Sequence, residues 1–327
     1  MKVAIHSVDG HNYPNLALMR ISAWHKAQGD AVEWFAPLAR YDRIYSSKIF
    51  TFSKDDPYLP PDAIKGGTGY NVTSRLPQEI DETPPDYSIY PQFDAAYGFL
   101  TRGCPNKCPW CVVPHKEGGL RVVADIEDIC RTNTGFRHKA ILMDNNFLAA
   151  PFDFCREQID KMRRLKIRVD FNQATDARLY NEDTARIMAT MPHLKYARIS
   201  CDTDAMLPHC VRAISLLRTF GYRGDVFVYV LSKADGIESA LHRIYGLMAA
   251  DRRAVPFVMP YRDFDNYTKE IPPELRRLAR WCNRAWIRKA CRFCDYKKGD
   301  QNGLRHPRDH ARRIPQQGRT PETPPRF

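Results

Sequence analysis

Residues 95–111 read AAYGFLTRGCPNKCPWC, an apolar run followed directly by a loop that carries three cysteines. The run 95–102 has the length and apolar content of a β-strand that is covered on both faces. The three cysteines are Cys104, Cys108 and Cys111, so their spacing is C-x3-C-x2-C. The stretch predicts a strand whose carboxyl end presents three thiols.

Apolar runs recur after this stretch, and each is separated from the next by a segment with helical spacing. Such alternation is typical of parallel β-α units. We expect a partial (β/α)6 TIM-like barrel over residues 94–270, with the chemistry at the carboxyl ends of its strands. The further strand candidates are KAILMD, RVDFNQA, YARISCD, DVFVYVL and AVPFVMPY.

The first part of the chain has a smaller pattern of the same kind. KVAIHSV and AVEWF flank an amphipathic segment that ends at Gly29, and a glycine turn follows at 64–69. These features predict a half-Rossmann β-α-β domain over residues 1–75. Seven prolines between residues 57 and 91 exclude a long helix or a central strand, so we expect a connector at 76–93.

Composition favours a globular enzyme, with 43% hydrophobic and 27% charged residues. No apolar stretch is long enough to span a bilayer, and the first residues lack the pattern of a signal peptide. We therefore expect a cytoplasmic protein that does not engage a membrane. In that compartment its ten cysteines favour metal ligands or buried thiols over disulfides.

The end of the chain is basic. We expect a helix over 271–298 and a disordered tail over 299–327. Residues 297–327 contain eight Lys or Arg against three Asp or Glu, which supplies +5 of the formal net charge of +12. A solvated tail explains this surplus, and nucleic-acid binding through the tail is the alternative.

Three thiolates leave one iron of a 4Fe-4S cluster without a protein ligand. An open iron can chelate S-adenosylmethionine (SAM), so that reduction breaks a carbon–sulfur bond and yields a radical. The C-x3-C-x2-C spacing, with Trp110 directly before Cys111, resembles the radical SAM superfamily. The resemblance implies an enzyme that generates a 5′-deoxyadenosyl radical and abstracts hydrogen from a substrate.

The same resemblance suggests which residues contact SAM. It implies that Trp110 lies near the adenine, and that a polar motif after the second barrel strand binds the amino group. The family's Gly-Gly-Glu is absent there, and Asp144, Asn145 and Asn146 stand in its place. An electron donor such as flavodoxin or ferredoxin is also implied.

Over residues 1–290 the chain looks closest to the branch that precedes the barrel with a cobalamin-binding domain. The Asp-x-His-x-x-Gly motif of that domain is missing: His6 precedes Ser7-Val8-Asp9, and His11 precedes no suitably spaced glycine. Cobalamin is therefore a possible cofactor that the sequence disfavours.

Polar residues near the predicted strand ends are further candidates for SAM or substrate contacts. Gln173 and Arg198 are the preferred ones, and a purely structural role is the alternative for each. Asp176, Arg178 and Asp202 rank below them. Residues 261–263, Tyr-Arg-Asp, either close the substrate pocket or form an ordinary loop.

Two alternatives concern metals. A zinc ion bound by the three loop cysteines and His115 would make the protein a binding module without catalysis. Near the carboxyl terminus, Cys282, Cys291 and Cys294 either hold a second metal, completed by His306 or His310, or pack as small apolar side chains. We favour packing. The other cysteines are expected to be core thiols: Cys130, Cys155, Cys201 and Cys210.

Overall fold

The structure is a computed structural model. It describes residues 1–10, 13–132, 138–233, 235–263 and 270–297.

The first part of the chain forms a four-stranded parallel sheet of order β2-β1-β3-β4. Its helix begins where the Asn15 side chain accepts a hydrogen bond from the Leu18 N–H at 3.2 Å. Gly29 follows the helix with φ of +81°, the left-handed conformation that ends many helices. The elements are β1 (Lys2–Ser7), α1 (Leu16–Ala27), β2 (Ala31–Trp34), β3 (Arg43–Ser47) and β4 (Ile64–Gly66).

The proline-rich segment contains only short elements, as its composition predicts. They are α2 (Gln78–Asp81) and a 3-10 turn at Tyr87–Ile89. Ile80 of α2 is 4% exposed and packs with Ile5 and Leu18 of the first sheet and helix. The connector is therefore docked on the first sheet rather than extended through solvent.

Short strands alternate with helices in the rest of the chain. The first group is β5 (Ala96–Gly98), β6 (Thr101–Arg102), α3 (Val113–Lys116), β7 (Arg121–Val122), α4 (Ile126–Arg131), β8 (Lys139–Leu142), α5 (Phe152–Arg164) and β9 (Arg168–Phe171). The second is β10 (Thr175–Asp176), α6 (Glu182–Thr190), β11 (Ala197–Ser200), α7 (Leu207–Thr219), β12 (Val226–Ser232), α8 (Ile237–Ala250), β13 (Ala254–Pro260), α9 (Pro273–Asn283) and α10 (Ala285–Ala290).

These strands form two parallel sheets, of order β5-β8-β9 and β10-β11-β12-β13. A single parallel bridge between Val169 and His193 leads from the first sheet towards the second. The small β6-β7 pair is antiparallel. The predicted α/β class with parallel sheets is confirmed.

The second sheet has two different faces. Burial alternates strictly along β12, where Val226, Val228 and Val230 are fully buried. Helices α8 and α9 pack against β12 and β13, and the buried side chains of α7 belong to the same hydrophobic cluster. The opposite side chains, Phe227 and Tyr229 among them, are only half-buried. The half-buried face is the one that carries polar and aromatic groups.

Two predicted elements are divided in the structure. The run 95–102 is not one strand, because β5 pairs with β8 while β6 turns aside to pair with β7. The helix predicted over 271–298 breaks after Asn283. There the Asn283 amide accepts from the Val258 N–H at 2.6 Å and donates to the Val258 carbonyl at 3.0 Å. That side chain thus pairs with the backbone at the edge of β13, beside which the described residues place no further strand.

Within the described segments, no helix is both long and apolar enough to cross a membrane. The tail predicted over 299–327 lies outside the described residues, as do His11, His306 and His310.

Candidate functional site

The cysteine loop, residues 103–112, follows β6 and returns through α3 towards β7. Gly103 opens it with φ of +83°, and a Cβ there would lie 2.2 Å from the Gly119 carbonyl oxygen. Only glycine fits such an approach. The Cys104 N–H donates to the Gly118 carbonyl at 3.2 Å, and the Cys111 N–H donates to the Cys108 carbonyl at 3.0 Å. The loop is thus closed by its own backbone.

The three thiols of this loop are free and half-buried. Burial raises the pKa of Cys108, opposed by nearby Arg178 and reinforced by Cys104. Burial also raises the pKa of Cys111, with smaller contributions from Cys108 and Cys104. The neighbouring sulfurs thus help to raise the pKa of both Cys108 and Cys111. Over the ranges that the structure describes, no three His, Cys, Asp or Glu side chains are grouped closely enough to hold a metal ion.

Asp144 follows β8 and is fully buried. One carboxylate oxygen accepts from the Thr101 N–H and hydroxyl, both at 2.7 Å, and the other accepts from the Leu100 N–H at 3.1 Å. Burial raises the pKa of Asp144 to about 6, although these hydrogen bonds act to lower it. Asp144 thus joins β8 to the start of β6.

The next two residues hold the cysteine loop itself. The Asn145 carboxamide oxygen accepts from the Gly103 N–H at 2.9 Å. The Asn146 amide nitrogen lies 3.6 Å from the Cys104 sulfur, to which it donates. The Asn146 carboxamide oxygen is buried and has no hydrogen-bond partner among the described residues. An acceptor left in this way is costly unless something outside the described residues donates to it.

A second brace comes from the segment after β9. Asn106, inside the cysteine loop, donates to the Asp176 carboxylate at 3.0 Å. Arg178 forms a bidentate contact with the same carboxylate, including a 2.6 Å hydrogen bond from Nη2. Because Arg178 also acts on Cys108, a positive charge lies near the thiols. This group draws the end of β10 to the loop.

Trp110 lies at the junction of three strand ends. Its side chain lies near Asp202, which follows β11, and burial raises the pKa of that carboxyl group, opposed by Arg243 and Trp110. The Lys233 ammonium, just past β12, lies 6.0 Å from the Trp110 ring and 5.3 Å from the Tyr261 ring. Tyr261 follows β13, and its N–H donates to the Ser232 carbonyl at 2.8 Å.

The two other predicted contact residues differ from each other. Gln173 is exposed on the loop after β9, before Ala174, whose φ is +71°. Arg198 is on β11 and is bound by a bidentate contact to Asp170 of β9 and by the Tyr229 hydroxyl at 3.2 Å. The structure does not test the predicted SAM contacts of either residue. It does show that Arg198 already has protein partners.

An ion-pair chain connects the cysteine loop with the first part of the protein. Asp81 of α2 pairs with Arg20 of α1 and, at 2.6 Å, with Arg102 directly before the loop. Arg102 also pairs with Glu117 at 2.9 Å, directly after α3. In the connector, Asp86 accepts from Ser22 and Lys26 of α1, both at 2.6 Å.

His6, which the sequence analysis compared with the cobalamin motif, lies near the end of β1. His6 contacts the Ser46 hydroxyl through Nδ1 at 2.9 Å and Asp56 through Nε2 at 3.1 Å. It is 9% exposed. Both ring nitrogens are therefore engaged within the protein, and cobalamin stays a disfavoured prediction.

The carboxyl-terminal cysteines do not form one cluster among the described residues. Cys282 is fully buried and its thiol donates to the Pro256 carbonyl at 3.4 Å. Cys291 is half-buried, with its thiol 3.8 Å from the Ile287 carbonyl, whereas Cys294 is exposed. Cys282 fits the predicted packing role. The isolated cysteines are buried as expected: Cys130, Cys155, Cys201 and Cys210.

Three contributors to the site were not identified from the sequence. Lys233 directly follows a predicted strand, so the strand-end rule that selected Gln173 would have selected it too. Asn106 and Asp81 gave no such signal, because their partners are distant in the sequence.

Comparison with models of known protein families found no match, and a search of curated proteins found no significant relative.

Proposed function

We propose that this protein is a radical SAM enzyme whose Cys104, Cys108 and Cys111 thiolates hold a 4Fe-4S cluster. The observation that carries the proposal is the cysteine loop itself: three free, half-buried thiols on one short loop that its own backbone hydrogen bonds hold at both ends. Bound there with one open iron, a reduced cluster would cleave SAM to methionine and a 5′-deoxyadenosyl radical.

The number and type of donors suit that group, and binding would draw the three thiols together, since among the described residues no three such side chains are grouped closely enough for a metal ion. Three thiolates give an Fe-S cluster its protein ligands and leave one position for a substrate. The amide N–H of Asn146 is directed at the Cys104 sulfur, as expected where a thiolate ligand carries negative charge. Arg178 adds a positive charge near Cys108, which would stabilise the anionic ligand set.

The residues after β8 also suit SAM. The unsatisfied carboxamide oxygen of Asn146 is an acceptor for the amino group of a bound ligand, close to Cys104. Asp144 and Asn145 act differently, because their side-chain oxygens accept backbone N–H groups that hold β6 and Gly103 in place. Trp110 offers a half-buried ring for adenine, close to Asp202. We assign contact with SAM to Asn146 and Trp110, and positioning of the loop to the other two.

We propose further that β5, β8, β9, β11, β12 and β13 form the six strands of a partial TIM-like barrel. The parallel pairing within each sheet and the Val169–His193 bridge support this arrangement. Asp144, Asp202, Lys233 and Tyr261 all follow carboxyl ends of these strands, where α/β barrels carry their chemistry. A cytoplasmic electron donor such as flavodoxin or ferredoxin would supply the reducing equivalent.

The test is anaerobic reconstitution with iron and sulfide, followed by reduction in the presence of SAM. The wild type should bind about four irons per chain and convert SAM to 5′-deoxyadenosine and methionine. Cys108→Ala should abolish both. The exposed Cys294, outside the loop, provides the matched control, and Cys294→Ala should retain the iron and the cleavage.

Two outcomes would contradict the proposal. One is a zinc ion without sulfide in protein purified and reconstituted without oxygen, which would indicate a Cys3His site completed by His115. The other is a reduced, iron-loaded protein that leaves SAM intact.

A further inference from the structure

Two cations lie at the edge of the proposed active site, just past two neighbouring strands. Lys233 follows β12 and Arg262 follows β13. Because Ser232 pairs with Pro260 in the parallel register, Lys233 lies beside Tyr261, the residue before Arg262, with its ammonium 5.3 Å from the Tyr261 ring. Lys233 also faces Trp110 of the cysteine loop. Any ligand held by these two cations would therefore be next to that loop.

Neither cation has a carboxylate partner within 4.0 Å among the described residues, which distinguishes them from the other arginines of this region. Both lie over aromatic rings instead: Arg262 is 4.0 Å from the ring centre of Phe52, and Lys233 is 5.3 Å from that of Tyr261. A cation over a ring keeps its N–H groups available to an anion.

An aromatic pair from the first part of the chain reaches the same edge. Phe50 and Phe52 stack with ring centres 5.1 Å apart and planes inclined by 22°. Each is about half exposed, at 51% and 50%. Their loop is clamped on both sides by the Asp9 carboxylate, which accepts from the Ile49 N–H and the Ser53 hydroxyl, each at 2.5 Å. The rings are thus held in place at the surface.

We propose that this aromatic–cation rim, formed by Phe50, Phe52, Lys233 and Arg262, binds a nucleotide unit of the substrate. The exposed phenyl rings supply a stacking surface for a base, and the two cations supply donors to its phosphate. The unit is either a free nucleotide or one residue of a single-stranded nucleic acid. That the bound nucleotide is part of the enzyme's substrate rests on the proposed function. That the rim binds a nucleotide does not.

The test measures binding without SAM or reductant. The probe is a short fluorescein-labelled oligouridylate, and its fluorescence anisotropy is followed with the full chain at several salt concentrations. The wild type should bind, with affinity that falls as salt rises. Phe52→Ala, Lys233→Ala and Arg262→Ala should each weaken binding roughly 5- to 100-fold, the range expected for loss of a stacking or phosphate contact. Phe52→Tyr should restore binding.

The matched control is Arg156→Ala. Arg156 also lies over a phenylalanine, with 5.7 Å to the ring centre of Phe152, but it pairs with Asp153 on α5. This variant should bind as the wild type does. Circular dichroism of every variant should show native helix content.

Competition identifies the source of the unit. Displacement of the probe by UMP or AMP at comparable nucleotide concentration would indicate a free nucleotide, and displacement only by unlabelled oligomer would indicate a strand. No binding of either kind, or binding that the rim variants leave unchanged, would overturn the proposal. If the reconstituted wild type does not cleave SAM, the proposed function is refuted, and the result on nucleotide binding is unaffected.

Discussion

The Arg198 guanidinium donates from Nε and Nη2 to the two carboxylate oxygens of Asp170, at 2.5 and 2.7 Å. Their side chains are only 12% and 11% exposed, so the pair joins β9 to β11 largely out of water. Phe227 and Tyr229 flank the guanidinium.

We expect Arg198→Met to lower the free energy of unfolding by about 3–5 kcal/mol, because it leaves the Asp170 carboxylate buried without its partner. The double variant Arg198→Met with Asp170→Leu should be less destabilised than that single variant. Urea unfolding curves measure both. A single-variant cost below about 1 kcal/mol would show that the pair behaves as a surface contact.

Stability should depend on the ionisation of Asp144. Burial raises the pKa of this carboxyl group to about 6 in the folded state, from 3.8, so the folded protein binds the proton more tightly than the unfolded chain. Its contribution is therefore fully present below pH 4 and is lost as the pH rises through 6, by about 3 kcal/mol in total.

Asp144→Asn removes this dependence. Its amide can still accept from Thr101, but its NH2 group faces the Leu100 N–H, which costs about 1–3 kcal/mol. The difference in unfolding free energy, wild type minus variant, should fall between pH 4 and pH 7. A difference that rises over this range would mean that the hydrogen bonds outweigh burial.

Gly103→Ala should disrupt the cysteine loop, since the added methyl group would lie 2.2 Å from the Gly119 carbonyl oxygen. We expect loss of the bound iron and a marked fall in melting temperature. Gly118→Ala is the control: its φ is also positive, at +75°, but a Cβ there meets nothing within 4 Å. It should cost about 1–2 kcal/mol and retain the iron. Equal iron loss in the two variants would show that steric contact is not the cause.

Asp81→Asn should uncouple the connector from the cysteine loop, since it removes the charge that Arg20 and Arg102 share. The expected cost is roughly 1–3 kcal/mol, because hydrogen bonds to charged groups are lost in a partly buried network. The cost should shrink as salt is added to the unfolding buffer. Asp153→Asn on α5 is the control, since it removes one exposed pair with Arg156, and it should change stability by less than about 1 kcal/mol.

Hydrophobic patterning predicted β8, β9, β11, β12 and β13 well, because each buries apolar side chains in the core and stands out as a short apolar run between helical segments. The same patterning failed at 95–102. There the chain stays apolar while it changes partners from β8 to β7, and the N–H groups at the change are satisfied by Asp144. The hydrophobic pattern of residues 95–102 could not predict this change, because Asp144 is distant from them in the sequence.

The sequence could predict that the three cysteines share one loop, but it could not predict which residues hold that loop in place. The spacing of Cys104, Cys108 and Cys111 is local and needs no knowledge of the fold. The pairing of Asp170 with Arg198 depends on β9 and β11 lying close together. A rule based on strand ends selects Arg198 as a ligand contact because it does not include the carboxylate that β9 supplies to it. The bracing of the loop by Asn106 and Asp176 has the same origin.

Two carboxylates of the connector, Asp81 and Asp86, link the first part of the chain to the cysteine loop. Asp86 accepts hydrogen bonds from Ser22 and Lys26 of α1. Asp81 pairs with Arg20 of α1 and with Arg102, the residue directly before the cysteine loop. Helix α1 is thus connected to Arg102 through a chain of side-chain contacts. Removal of the amino-terminal sheet and helix would therefore leave Asp81 without Arg20, and Arg102, next to the cysteine loop, would lose part of its support.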